Sequence, residues 1–179
     1  YTFITTLLYV LEAAAKHQKT VWVLDRPNPA GRPIEGLTLR PGWESFVGAG
    51  PLPMRHGLTL GELGVWFVSH FRLPVDYRVI AMRGWKPDEG PGFGWPMGER
   101  SWVNPSPNAA TLSMARAYAG TVMLEGTTLS EGRGTTRPLE LLGAPGLDPR
   151  SLLTMLDRLM PNWIQGCRLR PCWFEPTFH

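Results

Sequence analysis

The chain has 179 residues, 43% hydrophobic and 18% charged, with 18 Lys and Arg against 15 Asp and Glu for a formal net charge of +3. That apolar content suffices for one ordinary core with a small annex and argues against a disordered chain. The basic residues are spread along the sequence without a stripe, so no nucleic-acid partner is expected, and no apolar run has the length of a membrane span.

Residues 1–16 have helical spacing, with Ile4, Leu7, Leu8, Leu11 and Ala15 on one face. Thr20-Val21-Trp22-Val23-Leu24 follows as a short continuous apolar run, the pattern of a parallel strand covered on both faces. From Asp25 to Arg55 the chain is rich in Gly and Pro and reads as a long functional loop or small insertion. Helical spacing resumes over residues 59–71, with Thr59 as N-cap, Glu62 as its capping-box partner and Leu60, Leu63, Phe67 and Phe71 facing inward. A second strand is predicted over 77–82 and a loop over 83–101 containing Trp85, Phe93 and Trp95. A short helix over 111–117 and a third strand over 121–124 come next, then an amphipathic helix over 148–160 with Asp148 as cap and Pro149 at its first position. A final edge strand is expected over 168–174. Alternating helix and strand argues for an α/β fold with a mainly parallel sheet and helices on both faces.

The 20 glycines and 18 prolines fall between these segments without a repeat, which implies long structured loops. Eight tryptophans exceed what a core of this size needs; they serve either as packing under those loops or as platforms for sugar rings. Cys167 and Cys172 are too few for a disulfide framework and either pair in an oxidising compartment or remain free thiols. No metal site is expected, because His17, His56, His70 and His179 lack metal-ligand spacing.

Three polar clusters carry the candidate chemistry. The first is Asp25, Arg26 and Asn28 with Glu35-Gly36; the second is His56 through Glu62 at a helix start; the third is the Gly-rich loop from Glu125 through Ser130, Glu131 and Arg133 to Thr136. If the first and third follow parallel strands, their carboxylates share the sheet's carboxyl edge and converge. Carboxyl groups on either side of a bond can act as acid and as base or nucleophile, which is the chemistry of glycoside hydrolysis. Arg, Asn and hydroxyl groups then bind sugar hydroxyls, an acetamido group or a carboxylate. The structural alternatives are an Asp25–Arg26 loop anchor, a purely capping Glu62, a His56 that is simply polar near a helix terminus, and a local Glu131–Arg133 ion pair with Gly132 and Gly134 at positive φ. A phosphate cradle around Arg133 lacks the Walker lysine and the dinucleotide glycine spacing, and two acids in the loop would repel it.

Asp25-Arg26-Pro27-Asn28-Pro29, Glu35-Gly36, Ser45-Phe46-Val47-Gly48 and Arg55-His56-Gly57-Leu58-Thr59-Leu60-Gly61-Glu62-Leu63 together resemble the NamZ-type exo-β-N-acetylmuramidases. Trp102-Val103, Pro105-Ser106-Pro107-Asn108, the Glu125 to Thr136 loop and Gly143-Ala144-Pro145 extend the resemblance, in the same order, over nearly all of the chain. The resemblance implies a Rossmann-like domain over residues 1–140 and the start of a smaller auxiliary α+β domain over 141–179, without a cofactor. It implies an extracytoplasmic bacterial glycosidase that releases terminal N-acetylmuramic acid from the non-reducing ends of peptidoglycan fragments. Glu125 and Glu35 are the expected carboxylates at the scissile bond, with Asp25 orienting a partner. Arg26, Asn28, Asn108, Ser130, Glu131 and Arg133 are expected to bind sugar, one arginine pairing with the lactyl carboxylate, and His56 to form a polar wall.

Family members are longer and begin with strands and a Gly-Pro-Glu-His-Gly type motif that contributes a further glutamate, so the chain reads as an internal piece. Arg32, Leu37 and Thr128 stand where the family commonly has glycine, proline and asparagine. The competing functional classes are a non-catalytic carbohydrate-binding module and a phosphate-ligand Rossmann-like protein.

Overall fold

The apolar stripe at the start of the chain does form a helix: α1, Thr2–Lys16, buries Leu7, Leu8 and Leu11 at the spacing that a 3.6-residue period requires. The computed structural model describes residues 2–86, 95 and 101–177. The chain divides into two compact units, Tyr1–Ser101 and Trp102–His179.

In the first unit, β1 (Thr20–Leu24) leads through β2 (Glu35–Thr38), β3 (Pro53–Arg55) and α2 (Leu60–His70) to β4 (Asp76–Ile80). β1 and β4 pair in parallel from Thr20 opposite Asp76 to Leu24 opposite Ile80. A parallel pair needs a crossover connection rather than a tight turn, and α2 lies within it. The core joins Leu7, Leu8 and Leu11 of α1, Val23 of β1, Ala49, and Leu63 and Phe67 of α2. Leu11, Leu63 and Phe67 are wholly buried, and each such side chain contributes roughly 1.5–3 kcal/mol. The fold is mixed α/β with a parallel strand pair, as the alternation of elements predicts.

Differences from the sequence reading have local causes. Trp22, Leu24 and Ile80 are exposed while Val23 is buried, so the apolar run of β1 does not mark cover on both faces; the Arg78 guanidinium lies over the Trp22 ring instead, 5.7 Å from its centroid. The stretch expected to be loop from Asp25 to Arg55 contains the antiparallel β2–β3 pair, with Glu35 opposite Arg55 and Thr38 opposite Pro53. These strands are short and not deeply buried, so they carry no burial alternation to read. Phe93 and His179 lie outside the described residues.

The second unit holds α3 (Leu112–Thr121), a 3-10 turn (Val122–Gly126) and α4 (Pro149–Leu159). Thr111 caps α3 by accepting from Met114 N, and Asp148 caps α4 by accepting from Arg150 N and Ser151 N. Ala109, Leu112, Met114, Val122 and Leu139 are its buried apolar residues. The third strand predicted over 121–124 is absent: α3 runs through Thr121 and tightens into the 3-10 turn that carries Glu125. A four-residue apolar run is compatible with either state, and here it continues the preceding helix. No strand forms over 168–174 either, where Pro171 offers no donor to a ladder.

Two glycines set how closely α2 lies on β4. A Cβ on Gly61 would sit 2.6 Å from Val79 Cγ1, and one on Gly64 would sit 2.2 Å from the Tyr77 hydroxyl oxygen, which itself donates to Gly61 O at 2.9 Å. Gly64→Ala is therefore expected to lower unfolding free energy by about 1–3 kcal/mol, the usual range for overpacking, measured as a fall in the urea midpoint. A Gly64→Ala midpoint equal to that of the parent would show that the helix can lift off the strand without cost.

Candidate functional site

At the carboxyl end of β1, Asp25 reaches the start of α2. Its carboxylate accepts from Thr59 Oγ1 at 2.7 Å and from Gly61 N at 2.9 Å, an anion placed at the positive end of a helix. Thr59 and Glu62 complete a reciprocal capping box at the same terminus. The nearby Tyr77 hydroxyl is pushed up to about 12 by burial and by the charge of Asp25, so it stays a donor. The first and second clusters thus come together within this unit, a pairing the sequence reading did not make.

Asn28 spans the same junction, donating to Leu58 O and accepting from Ala30 N, both at 2.9 Å. Arg32 donates to Gly57 O at 3.1 Å and to Glu62 Oε2 at 2.5 Å, with its guanidinium 5.7 Å from the centroid of Trp85. Gly57 is required there, because it has φ +71° and a Cβ would lie 2.2 Å from Arg32 O. Arg26 is exposed and makes no ion pair among the described residues. Glu35 is exposed on β2 and pairs at 2.5 Å with Arg55, whose guanidinium is anchored on Ala30 O.

The second unit builds its own cluster. Arg133 Nε donates to Glu131 Oε1 at 2.8 Å, and Arg133 Nη2 pairs with Glu125. Glu131 is 0% exposed. Burial works against the Arg133 charge, but the hydrogen bond to Glu131 and the charges of Glu125 and Glu131 outweigh it and hold the guanidinium above its ordinary value. The expected ion pair forms, and Gly132 and Gly134 have φ +74° and +85° as the loop reading requires. Leu139 N closes the loop on Glu131 O at 2.6 Å. Ser130 Oγ accepts from Gly132 N at 3.2 Å, and Asn108 is half-buried beside Ala109, whose carbonyl accepts from the Trp102 indole at 2.9 Å. Because Glu125 stands on a 3-10 turn rather than at a strand end, the shared-sheet-edge argument for its convergence with Asp25 does not apply. Cys167 and Cys172 are free and exposed.

A family model described as exo-β-N-acetylmuramidase NamZ, N-terminal, matches residues 1–113, and its C-terminal counterpart matches residues 116–179. The chain belongs to the NamZ family. Peptidoglycan β-N-acetylmuramidase NamZ of Bacillus subtilis (strain 168) is 41% identical over 179 residues, which is 99% of this chain and 42% of that protein. Two crystal structures of DUF1343 family proteins from Bacteroides fragilis NCTC 9343 are similar in fold. One is 31% identical with a TM-score of 0.73, covering 83% of this chain and 41% of the other. The second is 30% identical with a TM-score of 0.77, covering 89% and 41%. The chain therefore spans less than half the length of these NamZ-like relatives.

His56 supplies a pH test of the second cluster. Burial is the largest cause that lowers its imidazole below the ordinary 6.5, and its Nδ1 accepts from Leu58 N at 3.1 Å, which fits a neutral ring protonated on Nε2. The unfolded chain binds that proton near 6.5 and the folded chain only at lower pH, so stability is lost as pH falls below 6.5. Replacing His56 by Asn, which keeps an acceptor, should flatten that part of the profile of melting temperature against pH. An unchanged acid slope would place the titration elsewhere.

Proposed function

We propose that this chain supplies the carboxylate chemistry of an exo-acting glycosidase that removes terminal N-acetylmuramic acid from the non-reducing ends of peptidoglycan fragments. Family membership and the 41% identity to the peptidoglycan β-N-acetylmuramidase of Bacillus subtilis support the substrate class. The observation that carries the chemistry is the Glu125–Arg133–Glu131 arrangement. A wholly buried carboxylate is tolerated only when it is paired, and Glu131 uses that requirement to fix the Arg133 head. Arg133 in turn restrains Glu125, whose residue is exposed at the loop entrance.

In this reading Glu125 acts on the glycosidic bond, and Glu131 and Arg133 position it. Glu35, in the first unit, is exposed and steered by Arg55. Asp25 holds the start of α2, and with it the His56 to Glu62 segment of the first unit. In the first unit Arg26 is exposed and makes no ion pair among the described residues, which leaves it open to an anionic group. In the second unit Asn108 is assigned to the sugar's polar groups. Because peptidoglycan lies outside the cytoplasmic membrane, the proposed site of action is extracytoplasmic.

Glu125→Gln is expected to lower release of chromophore from a chromogenic N-acetylmuramic acid glycoside by about 100-fold or more, the range for loss of an acid–base group, with the circular dichroism spectrum unchanged. Turnover by Glu125→Gln equal to the parent's would remove that residue from the reaction, and no release by the parent chain would overturn the proposed activity.

A further inference from the structure

The second unit contains a cleft of about 880 Å³, lined by the 127–130 loop, residues 142–149 and residues 172–176. That volume falls within the range of roughly 300–1,000 Å³ typical of small-molecule sites. Its walls are tied together. Ser130 and Gly143 exchange two main-chain hydrogen bonds, at 2.8 and 3.0 Å. Phe174 lies against Gly143 so closely that a Cβ there would be 3.0 Å from the ring. Thr177 then fixes the end of this segment, its N donating to Arg133 O at 3.3 Å and its Oγ1 to Gly134 O at 3.2 Å.

Next to this anchored Phe174 stands Trp173, which lines the cleft with 88% of its surface exposed. An indole left in water has a large apolar face to offer a ligand. Thr128 and Glu175, also in the lining, make no hydrogen bond or ion pair among the described residues, and Ser130 uses its hydroxyl only as an acceptor. The lining contains no Lys or Arg, while it includes Asp148 and Glu175. An anionic ligand is therefore disfavoured here. An apolar platform flanked by hydroxyls and a carboxylate suits a neutral pyranose ring, whose C–H face stacks on the indole while its hydroxyls and amide meet Thr128, Ser130 and Glu175.

We propose that this cleft binds an uncharged N-acetylhexosamine ring of the glycan, a sugar distinct from the anionic residue that is cleaved. The proposal rests on the reading of the chain as a peptidoglycan glycosidase only for the origin of the ligand, and its test does not require turnover. Binding of N-acetylglucosamine oligomers to the 179-residue chain is measured by calorimetry for the parent and for Trp173→Ala, Trp173→Phe and Trp163→Ala. Trp163 is 77% exposed but does not line the cleft, so it controls for general apolar attraction.

Trp173→Ala is expected to weaken binding about tenfold, Trp173→Phe to restore most of it, and Trp163→Ala to change nothing. Absence of binding by the parent, equal binding by Trp173→Ala, or an equal loss in Trp163→Ala would each overturn the cleft assignment. Hydrolysis of a simple chromogenic muramic-acid glycoside, run beside these, should be unaffected by Trp173→Ala. If no variant, nor the parent, hydrolyses that glycoside but the oligomer binds through Trp173, the hydrolase reading fails and the cleft stands.

Discussion

A carboxylate withdrawn from water has to be met by donors, and that constraint organises both units of this chain. In the first unit Asp25 is met by a threonine hydroxyl and a helix-terminal amide, which ties the end of β1 to the beginning of α2. In the second, Glu131 is met by Arg133, which extends the arrangement to Glu125. In each case the buried or part-buried acid spends its charge on geometry. A neighbouring exposed group, Arg26 in one unit and Glu125 in the other, is left where a ligand can reach it.

This division of labour extends to Arg32 and Thr128. Arg32 adds an ion pair to Glu62 and a carbonyl contact to Gly57. It thereby reinforces a helix terminus already fixed by its capping box. Thr128 lines the cleft of the second unit and offers it a hydroxyl.

Much of this was legible in the sequence where a local signal had a single physical meaning. Thr59 followed by Glu62 specified the capping box, Asp148 with Pro149 specified the start of α4, and Gly132 and Gly134 marked positive φ. The 121–124 segment was not legible, because a short apolar run after a helix fits a strand and a helical extension equally well. The β2–β3 pair escaped because its strands lack a buried face. The lashing of Asp25 to Thr59 and Gly61 joins positions 34 and 36 residues apart, a separation at which periodicity and local propensity carry no information.

Arg133, held by buried Glu131, is proposed to orient Glu125 for reaction. This role is tested most directly by steady-state kinetics of Arg133→Lys on a chromogenic N-acetylmuramic acid glycoside. A lysine keeps the charge but cannot present the two-sided fork that serves two carboxylates at once. The expected result is a fall in kcat of at least about tenfold with KM nearly unchanged and a circular dichroism spectrum like the parent's. An unchanged kcat, or a loss confined to KM, would contradict it.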